Sequence, residues 1–285
     1  MKVGKSLLTI QVKVISIIAI LVLALNGCVT TSNSSLTDKA DPVIAVQRYV
    51  QLGLEYIKRN ELHRARKHLG RALEIDPLDA SANAALGLVY HQEDEAKTAE
   101  ALFLKALESD PGFTRGRSYY GAFLYSEGRL EEALEHFQYA AQDTKYEGRS
   151  QIYSNLALCY LKLEQTEQAI EAYTKTLRLD RTNGRALSGI TELFIQTHDY
   201  ERAQHYYNRL VRLIREMDMQ HSAQSLWLGI RIAHSFKSEK QKKGLVMLLA
   251  EMYPDSDESK HAIGLLNDGY LDTGYLGAES GGESK

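Results

Sequence analysis

Cysteine and proline are scarce in this chain, two and four residues out of 285, and each scarcity excludes something. Two cysteines, Cys28 and Cys159, cannot build the disulfide framework of a small secreted domain. Four prolines against seventeen tyrosines, with long runs rich in Ala, Leu, Glu, Arg and Gln, favour helix over sheet. A surplus of positive charge is missing as well. Lys and Arg number 34 against 37 Asp and Glu, a formal net charge of −3, and residues 1–27 hold Lys2, Lys5 and Lys13 but no acid, so the remainder is more acidic still. Phosphate contacts need a basic face, and nucleic acid is therefore not an expected partner. The densest basic run, His63-Arg64-Ala65-Arg66-Lys67-His68, reads as a solvated helix face. No HExxH, P-loop, GxSxG or GxGxxG is present, and the nine histidines never stand with cysteine at metal-ligand spacing. No catalytic residue, metal, cofactor or small-molecule substrate is expected. At 25 % charged and 44 % hydrophobic residues the chain is nonetheless that of an ordered protein.

Long apolar runs are absent but for one, Val14 to Leu25. A spanning helix needs about 20 apolar residues, so this run reads as the core of a secretory signal over residues 1–27. The following Leu25-Asn26-Gly27-Cys28 resembles the bacterial lipobox, with Asn26 an unusual residue before the glycine. That resemblance implies cleavage before Cys28 and acylation of its thiol and new amine, a covalent lipid being the one non-protein group expected. It also implies outer-membrane sorting, because Val29 stands where an Asp would favour retention in the inner membrane. Several chains on one residue anchor firmly at about 0.8 kcal/mol per buried methylene. Residues 28–45 then read as the lipidated cysteine and a polar tether, and an uncleaved anchor with Cys28 a bystander is the alternative.

From Val46 the chain repeats at about 34 residues. Residues 46–79 supply Tyr49, Leu52-Gly53, Tyr56, Ala65, Leu69, Ala72 and Pro77; residues 80–113 supply Asn83, Leu86-Gly87, Tyr90, Ala99, Phe103, Ala106 and Pro111. Residues 114–149 carry Tyr120-Gly121, Leu124, Ala133, Phe137 and Ala140, then a longer turn without proline; 150–183 and 184–217 keep the pattern; 223–256 is degenerate. These residues resemble the tetratricopeptide (TPR) hairpin, in which small residues let two helices approach and large ones fill the gap. The resemblance implies an all-α, right-handed superhelical solenoid of six hairpins, with a short capping helix and a polar tail in 257–285. Cys159, inside Leu156-Ala157-Leu158-Cys159-Tyr160, reads as a space-filling core thiol.

In that repeat family the first helix of each hairpin lines a concave groove. On the frame above the groove residues are Val50, Leu54 and Ile57, then Ala84, Leu88 and His91, then Arg115, Ser118, Ala122 and Tyr125, then Leu158. The apolar ones favour a hydrophobic peptide or helix as ligand. A frame shifted by one residue would place Leu54 and Leu88 inside the hairpins instead. Only Asn155 matches the Asn slot of the carboxylate-clamping branch of the family, so that clamp is not expected.

The lipobox, polar linker, six repeats with a long turn after the third, Tyr49-Val50-Gln51-Leu52-Gly53-Leu54-Glu55-Tyr56 and the Tyr119-Tyr120-Gly121-Ala122-Phe123-Leu124 helix together resemble the type IV pilus biogenesis/stability lipoprotein family (PilF/PilW-like). What this implies is a pilotin: a monomeric outer-membrane lipoprotein, facing the periplasm, that binds pilus secretin subunits and promotes their localisation and multimer assembly. An adaptor that recruits or regulates peptidoglycan enzymes is the alternative for the same architecture.

Overall fold

The computed structural model describes residues 41–267, and all regular structure within them is helical. The signal segment, Cys28 and the tail after residue 267 lie outside the described residues. Six antiparallel pairs follow one another: α1 (Pro42–Lys58) with α2 (Leu62–Ile75), α3 (Ala80–Gln92) with α4 (Ala96–Ser109), α5 (Thr114–Ser126) with α6 (Leu130–Ala141), α7 (Arg149–Lys162) with α8 (Thr166–Leu179), α9 (Gly184–Gln196) with α10 (Tyr200–Glu216), and α11 (Ala223–Ser235) with α12 (Glu239–Met252). A last helix, α13 (Asp257–Asn267), closes the series. The polar tether read from the sequence reaches residue 45, but the helix begins at Pro42. Proline carries no N–H to leave unsatisfied in a first helical turn, and the Asp41 carboxylate accepts the Val43 N–H at 2.9 Å.

Two turn chemistries alternate. Within each pair the chain reverses through one residue of positive φ, namely Asn60, Asp94, Gly128, Glu164, His198 and Lys237, and the N–H of the residue that follows it donates back across the helix end, as in Glu61 N to Tyr56 O (2.9 Å) and Gln165 N to Tyr160 O (2.8 Å). This satisfies the orphan carbonyls of the first helix. Between the first five pairs an aspartate does the work, whereas the turn before the sixth reverses through Asp218 at positive φ with Met219 N bonding back to Ile214 O at 2.9 Å. Asp76, Asp110, Asp143 and Asp180 each accept, on the side chain, the N–H two residues on at 3.0 Å. Proline follows the first two aspartates only, so the turn survives Thr144 and Arg181 in its place because the aspartate still closes it.

Burial follows the small and large positions of the repeat. One continuous core runs from Ala84 to Ile232, with separate clusters where the first hairpin meets α3 and in the last hairpin with α13. A Cβ on Gly87 or Gly121 would stand 2.9 Å from Phe103 or Phe137 of the same hairpin, closer than packed carbon atoms allow. Ala262 of α13 is fully buried beside Leu226, Ile230, Val246 and Leu249, so this short helix covers the apolar end of the stack. Cys159 is buried and free, and burial pushes its thiol up to about 12, so packing is its role in the fold.

Candidate functional site

The first helices of the first four hairpins, α1, α3, α5 and α7, share a partly open face. Leu54, Ile57, Leu88, His91, Tyr125 and Leu158 lie half-buried on that face, and Arg115 and Ala122 are exposed. Val50, Ala84 and Ser118, which the repeat frame puts in the groove, are not at the surface: they are 7 %, 0 % and 8 % exposed. All three occupy the fifth position of their units, which faces the next hairpin. Ala84 belongs to one core with Phe103 and Tyr120, and Val50 to another with Ala82 and Ala85. Leu54 and Leu88 meet both readings of the frame, packing against those cores on one side while keeping an accessible edge.

Neighbouring first helices are tied across this face by polar contacts. His91 Nε2 lies 3.2 Å from Ser126 Oγ, and its ring stands edge-on to Phe123 at 5.3 Å. Deeper in the stack, the Glu192 carboxylate on α9 accepts a hydrogen bond from Arg231 of α11 at 2.6 Å and from Gln196 at 3.2 Å. Arg231 and Glu192 expose only 10 % and 22 % of their side chains, so the pair pins the fifth hairpin to the sixth with little competition from water.

A recess on this face begins at Leu158 and continues toward the C-terminus. It has a volume of about 580 Å³, with Leu158, Leu161, Leu210, Ile214 and Met219 as its apolar walls and Arg185, Glu192, Gln196 and Gln224 as its polar groups. Buried Tyr173 forms part of its floor, and burial pushes that phenol up to about 12, so it stays a neutral donor. Such a recess accepts an apolar side chain or a helix edge and orients it with a few hydrogen bonds. Sequence reasoning missed Arg185, Ser188, Glu192 and Gln196, which fall at the second, fifth, ninth and thirteenth positions of the fifth unit. Carrying the repeat frame one unit further would have found them. Among the described residues, no group of three or more His, Cys, Asp or Glu could hold a metal ion, and no helix is long and apolar enough to cross a membrane.

The basic run 63–68 is drawn into the surface. Arg64 pairs with Glu61 at 2.7 Å, Arg66 with Glu93 at 3.1 Å, and His68 stacks on Tyr56 with ring centres 5.3 Å apart.

Comparison with known proteins places these observations. Tetratricopeptide repeat models match residues 80–113, 99–148 and 150–183, and a TPR repeat model matches residues 53–94. The chain is 37 % identical over 245 residues to the type IV pilus assembly protein PilF of Pseudomonas aeruginosa, covering 85 % of this chain and 95 % of that one. A solved structure of Pseudomonas aeruginosa PilF superposes with a TM-score of 0.73 at 35 % identity, over 79 % of this chain and 99 % of the other. The crystal structure of PilW, a type IV pilus biogenesis factor, gives 0.67 at 20 % identity over 76 % and 98 %, a likeness of fold.

Proposed function

Because this chain belongs to the PilF family of type IV pilus assembly proteins, we propose that it acts in type IV pilus biogenesis as a pilotin, binding secretin subunits and promoting their delivery to the outer membrane and their assembly into multimers. The observation that carries the reading is the open face of the first helices, an apolar track from Leu54 and Leu88 to Leu158 that deepens into the recess beside Arg185 and Glu192. A track with apolar walls and sparse polar groups suits an amphipathic helix or extended segment of another protein. Recognition is non-covalent and needs no cofactor. The lipobox at Leu25–Cys28 supports the second half of the proposal: acyl chains on Cys28 tether the solenoid to the outer membrane, facing the periplasm, and the lipid sets the destination of whatever the solenoid holds.

Deleting the gene tests this directly. Secretin multimers resistant to detergent fall while the monomer persists; multimers at the parental level overturn the proposal. Photo-cross-linking from position 125 or 188 in cells captures the secretin subunit. Capture of peptidoglycan hydrolases or synthases with no secretin would instead favour the adaptor reading. A Cys28→Ala chain keeps the thermal melt of its solenoid but no longer fractionates with the outer membrane.

A further inference from the structure

On the opposite side of the stack from the groove, the second helices of the fourth and fifth hairpins form a cleft of about 520 Å³. Its rim carries Arg178, Arg181, Arg209 and Arg212 with His205, and buried Leu177 and Leu213 make its floor. We propose that this cleft is a second docking site, for an extended acidic segment of a partner protein, independent of the face assigned to the secretin.

The charge pattern argues for it. Elsewhere in the molecule several basic side chains pair with carboxylates, as Lys58 does with Glu55, Arg129 with Glu100 and Glu132, Lys175 with Glu171, Arg202 with Asp199 and Lys260 with Asp257. Others, such as Arg48, Lys97 and Arg115, stand singly on the surface; the cleft differs in gathering four arginines around one recess. Among the described residues none of the four cleft arginines lies in salt-bridge contact with a carboxylate. The nearby Asp180 spends its side chain on the Thr182 N–H and hydroxyl, at 3.0 and 2.8 Å. Glu216 is the one acid on the lining. Four guanidinium groups gathered around one cleft in a chain of net charge −3 leave a local field that an anionic ligand relieves.

The geometry selects the kind of anion. His205, Arg209 and Arg212 stand at i, i+4 and i+7 on α10, one face of the helix and about 10 Å of its length. That span matches about three residues of extended chain and exceeds a single phosphate. Arg209 is held in place, donating to the Arg181 carbonyl at 3.3 Å with its guanidinium 5.4 Å from the Tyr206 ring centre. Apart from His205 the basic groups of the rim are all arginine, and the planar fork of arginine takes a carboxylate through two parallel hydrogen bonds. The apolar floor of Leu177 and Leu213 accommodates the aliphatic part of a glutamate or a neighbouring side chain.

The test uses the full chain in detergent and a fluorescein-labelled hexaglutamate followed by anisotropy in 50 mM salt. Saturable binding is expected, weakened about tenfold by the double substitution Arg178→Gln/Arg212→Gln and less than twofold by Arg64→Gln/Arg71→Gln, which removes equal charge from α2. A hexaglutamate carrying a photo-cross-linker should label peptides within residues 177–216 of the unaltered protein, a readout that needs no variant. Equal weakening by both double substitutions, labelling elsewhere, or cleft-dependent binding of pyrophosphate or phosphatidylglycerol vesicles without hexaglutamate binding would overturn the proposal.

Discussion

The first three hairpins and the next two solve one packing problem in different ways. In α1–α6 the close approach is internal: Gly53 meets Leu69, Gly87 meets Phe103 and Gly121 meets Phe137, each pair inside one hairpin. In α7–α10 the large residue is Tyr173 or Tyr207, and the repeat position that holds glycine in α1, α3 and α5 is Ala157 or Thr191, both buried. The rings turn to the following hairpin instead. A Cβ on Gly189 of α9 would stand 2.5 Å from Tyr173 Cζ, and Gly229 of α11 takes up Tyr207 in the same way. At the glycines, then, the closest approaches lie within a unit in the early repeats and between units in the later ones. The difference teaches that a repeat departing from the consensus at one position has not lost its packing but handed it to its neighbour.

The largest effect should come from removing the ring that fills an early hairpin. Phe103→Ala, at a fully buried position, is expected to lower stability by about 3–5 kcal/mol in urea denaturation. Leu249→Ala in the last hairpin, also fully buried, should act locally, raising amide hydrogen exchange in α11–α13 while α3–α8 stay protected. Uniform loss of protection in both variants would break the distinction between the two ends.

Next come the glycines. Gly121→Ala and Gly189→Ala should each cost about 1–3 kcal/mol, and double-mutant cycles in urea sharpen the comparison. Phe137→Leu relieves the first within its own hairpin. Tyr173→Leu, on the preceding hairpin, relieves the second. Absence of coupling between residues 173 and 189 would count against packing handed across units.

A smaller effect concerns pH. Glu100 accepts hydrogen bonds from Arg129 and from Tyr120 (2.8 Å), joining the second hairpin to the third. Chiefly through the Arg129 hydrogen bond, its carboxyl is held below its ordinary 4.5; Asp143 is likewise lowered, mainly by the Thr114 hydroxyl at 2.7 Å. A carboxyl whose folded value is depressed stabilises the fold above its unfolded value and loses that contribution as pH falls. The melting temperatures of the parent and of Glu100→Gln should therefore differ at pH 7 and converge as the pH is taken below about 4. A constant gap at all pH values would remove the charge from the explanation.

Smallest is the turn inside the fourth hairpin, where Glu164 sits at φ +57° while the third uses Gly128 at +75°. Glu164→Gly should raise stability by about 0.5 kcal/mol, since the left-handed region costs a residue with a Cβ about 1–2 kcal/mol and the added chain freedom of glycine offsets part of that gain. No change, or a loss, in the urea midpoint would mean that the glutamate side chain compensates locally.

Much of this protein is legible without coordinates because a repeat writes the same physical constraint several times. Small residues at one spacing and large ones at another specify helix pairs, and the aspartates before the second to fifth pairs specify where the chain turns. The period also led to Leu54, Leu88 and Leu158, since a residue recurring on one helix face recurs on one side of the stack. It misplaced Val50, Ala84 and Ser118, because which flank of a helix the next hairpin covers depends on how hairpins lean against each other, and a single unit carries no record of that angle. Arg178, Arg181, Arg209 and Arg212 were invisible for the same reason. They are dispersed along the chain, whereas the conspicuous basic run at 63–68 is largely neutralised by Glu61 and Glu93 or stacked on Tyr56. The sequence by itself determined the helices, their pairing and their order, all of which rest on contacts within about 34 residues. Only the tertiary structure decided which faces stay open and which charges meet, because those depend on distances between residues that no local pattern relates.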